Sequence, residues 1–168
     1  MININKSDEI NAPIENIFQF LIDPEKVKIY LPNVFNIRNI SLSDKKIGDM
    51  FIAELMVMDF KFEEMFMFSN YRQMEEVSLN FDGVLNGYLQ FVLKRNRKDV
   101  TNLNLKVEYR ISNDVLNNPI DNILFQRLNT ANFERVLENI KLITETNFIL
   151  ESSKIFVYRN KLIQNLQA

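Results

Sequence analysis

A chain of 168 residues, 46% of them apolar and 25% charged, has the make-up of one globular domain with a sizeable core. Its net charge of −2 gives no electrostatic case for nucleic acid or an anionic membrane surface. With no histidine or cysteine and only three glycines, it excludes Ser-His-Asp and Cys-His catalysis, ordinary zinc sites, disulfides and glycine-rich phosphate loops.

Ile2, Ile4 and Ile10 share one parity, which predicts an opening strand with one buried face. Asn11-Ala12-Pro13 starts a helix whose apolar residues Ile14, Ile17, Phe18 and Leu21 recur at helical spacing. Asp23-Pro24-Glu25 starts a second short helix, with Asp23 as cap and Pro24 at its first position. Val27, Tyr30 and Leu31 form its apolar side, and Pro32-Asn33 ends it.

From Val34 to Ser112 the period changes to two. A strand over Val34 to Leu42 is followed by a turn at Lys45, Lys46 and Gly48, then by strands from Met50 to Met58 and from Phe60 to Asn70. The bend at Asp59 contains no glycine, and Tyr71-Arg72-Gln73 is expected to form the next turn. Val77, Leu79 and Phe81 give a fifth strand, and Leu89, Phe91 and Leu93 the inner row of a sixth. Its hairpin tip is the charged run from Lys94 to Asp99. Leu103, Leu105, Val107, Tyr109 and Ile111 alternate with polar residues in the last strand.

A long helix is then expected from Asn118, as cap, to Thr146, with Pro119 and Asp121 in its first turn. Phe133, Val136, Leu137, Ile140 and Ile143 make one apolar stripe. Ile120, Leu124, Leu128 and Ala131 make another on nearly the opposite face, so the helix should be kinked or touched from two sides. After Thr146, the spacing of Ile155, Tyr158, Leu162 and Leu166 suggests a short terminal helix, with Ser152 or Ser153 as its cap. The expected fold is α+β: a seven-stranded curved antiparallel sheet around a long C-terminal helix, with two short helices after the first strand. Residues 1–146 form the domain and 147–168 an extension.

This order of elements is that of the helix-grip fold, and the opening residues resemble the START-like (SRPBCC) superfamily, which includes polyketide cyclases and a small subunit of carbon monoxide dehydrogenase. The resemblance is carried by Ile10-Asn11-Ala12-Pro13-Ile14-Glu15, Phe18 and Leu21, Asp23-Pro24-Glu25, and Leu31-Pro32-Asn33-Val34. Phe81-Asp82-Gly83 through Leu93 sits at compatible spacing. Against the dehydrogenase subunit, the Gly-Pro pair before the fourth strand is absent and Glu64 stands where a glycine is expected. The resemblance implies a cavity between sheet and late helix that takes a lipid, quinone or polyketide-like molecule.

Phe60, Phe62, Phe66 and Phe68 share a parity in the fourth strand, with Glu64 in their midst. The row is either plain core or the wall of an apolar cavity. Glu64 is either an anchor or acid-base group with a raised pKa, or a structural carboxylate turned outward or ion-paired. Lining the cavity, we expect Phe62, Glu64, Phe66 and Leu79, with Phe91, Leu105, Tyr109 and Leu137 opposite. An enzyme of the cyclase or dehydrase kind would use Glu64 and Tyr109. Lys6 and Asp8 share the inward parity of the first strand, and Tyr88 falls on the outward parity. Met50, Met56, Met58, Met65 and Met67 lie mostly on the outer parity, as an adaptable surface for a partner or second subunit, or as packing. No cofactor or metal is expected. Neither a signal-peptide pattern nor a membrane-length apolar run is present, so the cytoplasm is the expected address.

Overall fold

The computed structural model describes residues 1–41, 47–112 and 119–166, apart from the side chains of Asn39, residues 119–120 and residues 155–166. Strand β1 (Ile2–Ile10) leads into α1 (Ile14–Leu21), a 3₁₀ turn (Pro24–Lys26) and the single-turn α2 (Val27–Tyr30). There follow β2 (Val34–Ser41), β3 (Met50–Val57), β4 (Phe60–Arg72), β5 (Glu76–Gly83), β6 (Leu85–Arg97), β7 (Val100–Ile111) and the helix α3 (Pro119–Leu166). The expected turn residues Lys45 and Lys46 and the expected cap Asn118 lie outside the described residues, as do the side chains of Ile120, Ile155, Tyr158, Leu162 and Leu166.

All seven strands pair antiparallel in the order β1-β7-β6-β5-β4-β3-β2. The strands from β2 to β7 are a run of hairpins, and the short helices carry the chain from β1 at one edge to β2 at the other. Asp23 performs the expected capping: its Oδ1 accepts from the Glu25 amide at 3.0 Å, with Pro24 in the next position. The glycine-free bend after β3 is a two-residue turn in which Met58 takes the left-handed conformation at φ 57°.

Strand β4 runs past the expected turn at Tyr71-Arg72-Gln73 and ends at Arg72, with the turn following at Gln73–Glu75. The cause is a bulge. Phe68 faces Leu79 and Asn70 faces Ser78, so Ser69 is an extra residue in β4. The insertion flips the parity of the last residues of the strand, so Tyr71 turns inward and packs on Phe18 at 5.3 Å between ring centres. Asn70 and Arg72 turn outward and both donate to Glu76.

Helix α3 is continuous from Pro119 to Leu166, so no separate helix begins at Ser152 or Ser153. Its buried side is also a single stripe: Phe125, Asn129, Phe133, Val136, Leu137, Ile140 and Thr144. The expected second stripe is corrected, because Leu124 and Leu128 are exposed and Ala131 is only half-buried. A polar Asn129 inside the stripe and two leucines outside it disguised the inward face. The rim of the grip is polar. Lys6 donates to the Glu134 carbonyl at 3.0 Å, Lys141 pairs with Asp8 at 3.0 Å, and Glu145 accepts from the Asn11 amide at 2.8 Å. Lys6 and Asp8 therefore face the helix, at its margin.

Candidate functional site

The inward row of β4 meets α3 through a chain of aromatic rings. Phe51 stacks on Phe66 at 5.2 Å, Phe66 reaches Phe81 at 5.5 Å, Phe81 reaches Phe133 at 5.8 Å, and Phe133 reaches Tyr109 at 5.1 Å. Toward the start of the helix, Phe62 packs on Phe125 at 5.6 Å and on Phe60 at 5.6 Å. Leu79, Phe91, Leu105 and Leu137 are buried in the same apolar cluster. Offset and tilted rings at these separations add attraction beyond the area they bury.

Glu64 is fully buried within this row, as strand parity predicts. Its Oε1 accepts from the Leu85 amide at 2.6 Å, so the carboxyl braces the tight β5–β6 turn from beneath. Gly83 allows this approach, since a Cβ there would stand 2.6 Å from Glu64 Oε2. Oε2 itself has no hydrogen-bond partner. Burial is the main influence on the group and raises its pKa from 4.5 to about 8, against the pull of the Leu85 and Val84 amides and with help from Asp82. Burial therefore favours the protonated form of the side chain toward neutral pH. The outward-turned and ion-paired readings of Glu64 do not hold.

Tyr109 is held by a close approach of β6. A Cβ on Gly87, its cross-strand partner, would lie 2.0 Å from the Glu108 carbonyl oxygen. The Tyr109 hydroxyl lies 2.8 Å from Thr130 Oγ1, which itself lies 2.8 Å from the Gln126 carbonyl. Thr130 has one hydroxyl proton and spends it on that carbonyl, so Tyr109 donates and Thr130 accepts. Burial raises the Tyr109 pKa, partly offset by Thr130 and Asn129. Glu64 and Tyr109 are thus both inward, but each is bonded to its own neighbours rather than to the other.

Two polar residues of the interior, Asn33 and Asn129, carried no sequence signal: one follows a helix-stopping proline, the other interrupts an apolar stripe. Outside the grip, a depression of about 730 Å³ is rimmed by Ile2, Asp82, Asn86, Arg110, Ser112 and Gln126, where the β5–β6 turn, the end of β7 and α3 approach. On the outer face of the sheet, Met50, Met56, Met58 and Met65 are exposed and Met67 is half-buried. Tyr88 is also outward, with the Lys106 ammonium 5.6 Å from its ring centre. Among the described residues no cluster of acidic side chains is arranged to hold a metal, and no helix is long and apolar enough to cross a membrane.

No protein-family model matches the chain, and no curated protein matches it. Solved structures do. A START superfamily protein from Mycobacterium smegmatis superposes with a TM-score of 0.68 at 11% identity, covering 86% of this chain and 97% of that one. The Zhui aromatase/cyclase from Streptomyces sp. R1128 gives a TM-score of 0.65 at 11% identity, covering 86% and 93%. The Aha1 dimer from Colwellia psychrerythraea gives 0.56 at 17% identity, covering 86% and 97%. The chain has the START-like helix-grip fold, and at these identities the likeness is one of fold.

Proposed function

We propose that this domain binds an apolar small molecule of lipid, quinone or polyketide-like character between the sheet and α3. The observation that carries this reading is Glu64. Its Oε1 accepts from the Leu85 amide, whereas Oε2 is buried and makes no hydrogen bond of good geometry among the described residues. A buried polar atom without a partner costs about 1–3 kcal/mol, and a polar group on a bound molecule would offset it. Phe62, Phe66, Leu79 and Phe91 are the apolar walls in this reading, with Leu105, Leu137 and the Tyr109 ring opposite. The depression beside the β5–β6 turn is the entrance, and the ring chain parts to admit the ligand.

Nile red, a neutral dye that brightens in apolar surroundings, tests the proposal. Saturable binding at about one site per chain is expected, weakened by Phe66→Ala. A folded protein that shows no saturable binding would overturn it.

A catalytic reading is favoured by one feature, the raised pKa that burial gives Glu64. In that case Glu64 donates a proton and Tyr109 orients or polarises the substrate, as an aromatase/cyclase-like activity would require. The methionine-rich outer face offers a different role, as the surface that receives a second copy of the chain.

A further inference from the structure

The depression beside the β5–β6 turn is polar on one side and apolar on the other. Asp82, Asn86 and Arg110 line it as one cross-strand row, because the registers pair Asp82 with Asn86 and Asn86 with Arg110. Gln126 and Ser112 add to the polar rim. Ile2 and Ile111, also in the lining, are partly buried and pack against the core. Ile2 lies opposite Tyr109, and Gln126 follows the fully buried Phe125, so the apolar side leads toward the ring cluster.

The two charges of the rim are not equivalent. Asp82 accepts from the Asn86 amide, whereas Arg110 is exposed and has no ion pair among the described residues. Two strand spacings, about 10 Å, separate them, which exceeds the screening length of roughly 8 Å at physiological salt. An anion in contact with Arg110 is therefore attracted more strongly than Asp82 repels it. The interior offers no such partner. Among the described residues no lysine or arginine is buried, the chain has no histidine, and Glu64 lies there. A charged head group taken inside would carry its desolvation cost with no cation to offset it. We propose that Arg110 makes this depression the head-group site for an amphipathic carboxylate, whose apolar chain enters between the sheet and α3 while the carboxylate stays at the rim. The side-chain amides of Asn86 and Gln126 are the further donors on that rim. The inference rests on the proposed ligand-binding role and adds to it the charge and the direction of the ligand.

The test uses the full chain, with bound Nile red displaced at neutral pH by decanoate or by 1-decanol, which match in chain length and differ in charge. The readout is how each affinity changes between variants. Arg110→Gln should weaken decanoate about fivefold and change 1-decanol by less than about twofold. Arg110→Glu should weaken decanoate further, Arg110→Lys should keep most of its affinity, and added salt should narrow the gap between wild type and Arg110→Gln. Arg127→Gln removes an exposed cation of α3 that is not in the lining, and should change neither ligand. Arg110 is exposed on the outer row of β7, so its variants should fold as wild type does. Displacement by 1-decanol alone would overturn the inference and leave ligand binding intact. So would a decanoate affinity that is unchanged in the Arg110 variants, or one that falls equally in Arg127→Gln. Failure of Nile red and of both decyl compounds to bind would overturn both.

Discussion

Glu64 shows how one residue departs from the logic of its strand. Period-two alternation fixes its direction, so its burial among phenylalanines is legible in the sequence, whereas its partner is not. The Leu85 amide lies 21 positions away, and only the close approach permitted by Gly83 brings it under the carboxyl. The folded pKa of about 8 lies above the ordinary 4.5. The wild-type side chain therefore contributes most below about pH 4.5, and the contribution declines until the folded group ionises near pH 8. Glu64→Gln has no such titration. Relative to this variant, wild type should lose on the order of 4 kcal/mol between those limits and then level off. Urea unfolding of both proteins at pH 4.5, 6, 7 and 8.5 measures it. A difference that stays flat across the series would mean that water or a cation reaches the carboxyl.

At the scale of elements, the bulge in β4 decides which residues face which way. Ser69 gives no local sign of it, because a bulge is set by the register between strands and not by residue type alone. The parity of Phe60 to Phe68 is therefore legible, and that of Asn70 to Arg72 is not. The flip gathers Asn70, Arg72, Ser78 and Gln90 around Glu76, which is 5% exposed. Burial alone would raise the Glu76 pKa, but the four donors outweigh it and hold the group at about 2. A depressed carboxylate stabilises fully above its unfolded value near 4.5, and the benefit fades as pH falls toward 2. Glu76→Gln should thus cost about 2 kcal/mol at pH 7. Thermal or urea unfolding should show that deficit narrowing below pH 4.5, the opposite trend to Glu64. A neutral-pH cost below a few tenths of a kcal/mol would mean that the network is solvated and does not pin β4, β5 and β6 together.

At the scale of the molecule, the count and type of elements follow from periodicity, and so does the wrapping of the sheet around α3, since the strands are the only sheet-forming material available to cover the helix; only the cavity between them rests on the resemblance of the opening residues. The helix was harder to orient, since Asn129 and Thr144 occupy its buried stripe while Leu124, Leu128, Leu142, Ile149 and Leu150 are exposed. Two apolar surfaces are therefore left outside the core: the methionine face of the sheet and the outer side of α3. They predict different assemblies. The buried stripe of α3 ends at Thr144, with Phe148 half-buried beyond it, so a chain cut after Phe148 should keep the wild-type melting temperature within about 3 °C. If the methionine face receives a second copy, sedimentation should show a micromolar dimer in both the full and the shortened chain. Met65→Lys with Met67→Lys should return both to monomer without lowering the melting temperature, because charge on an outer face costs little when it stays in water. A dimer lost on shortening but retained by the double lysine variant would assign self-association to α3. A wild type that remains monomeric at all concentrations would leave both surfaces without a second copy, and Met65 and Met67 as packing on the outer sheet.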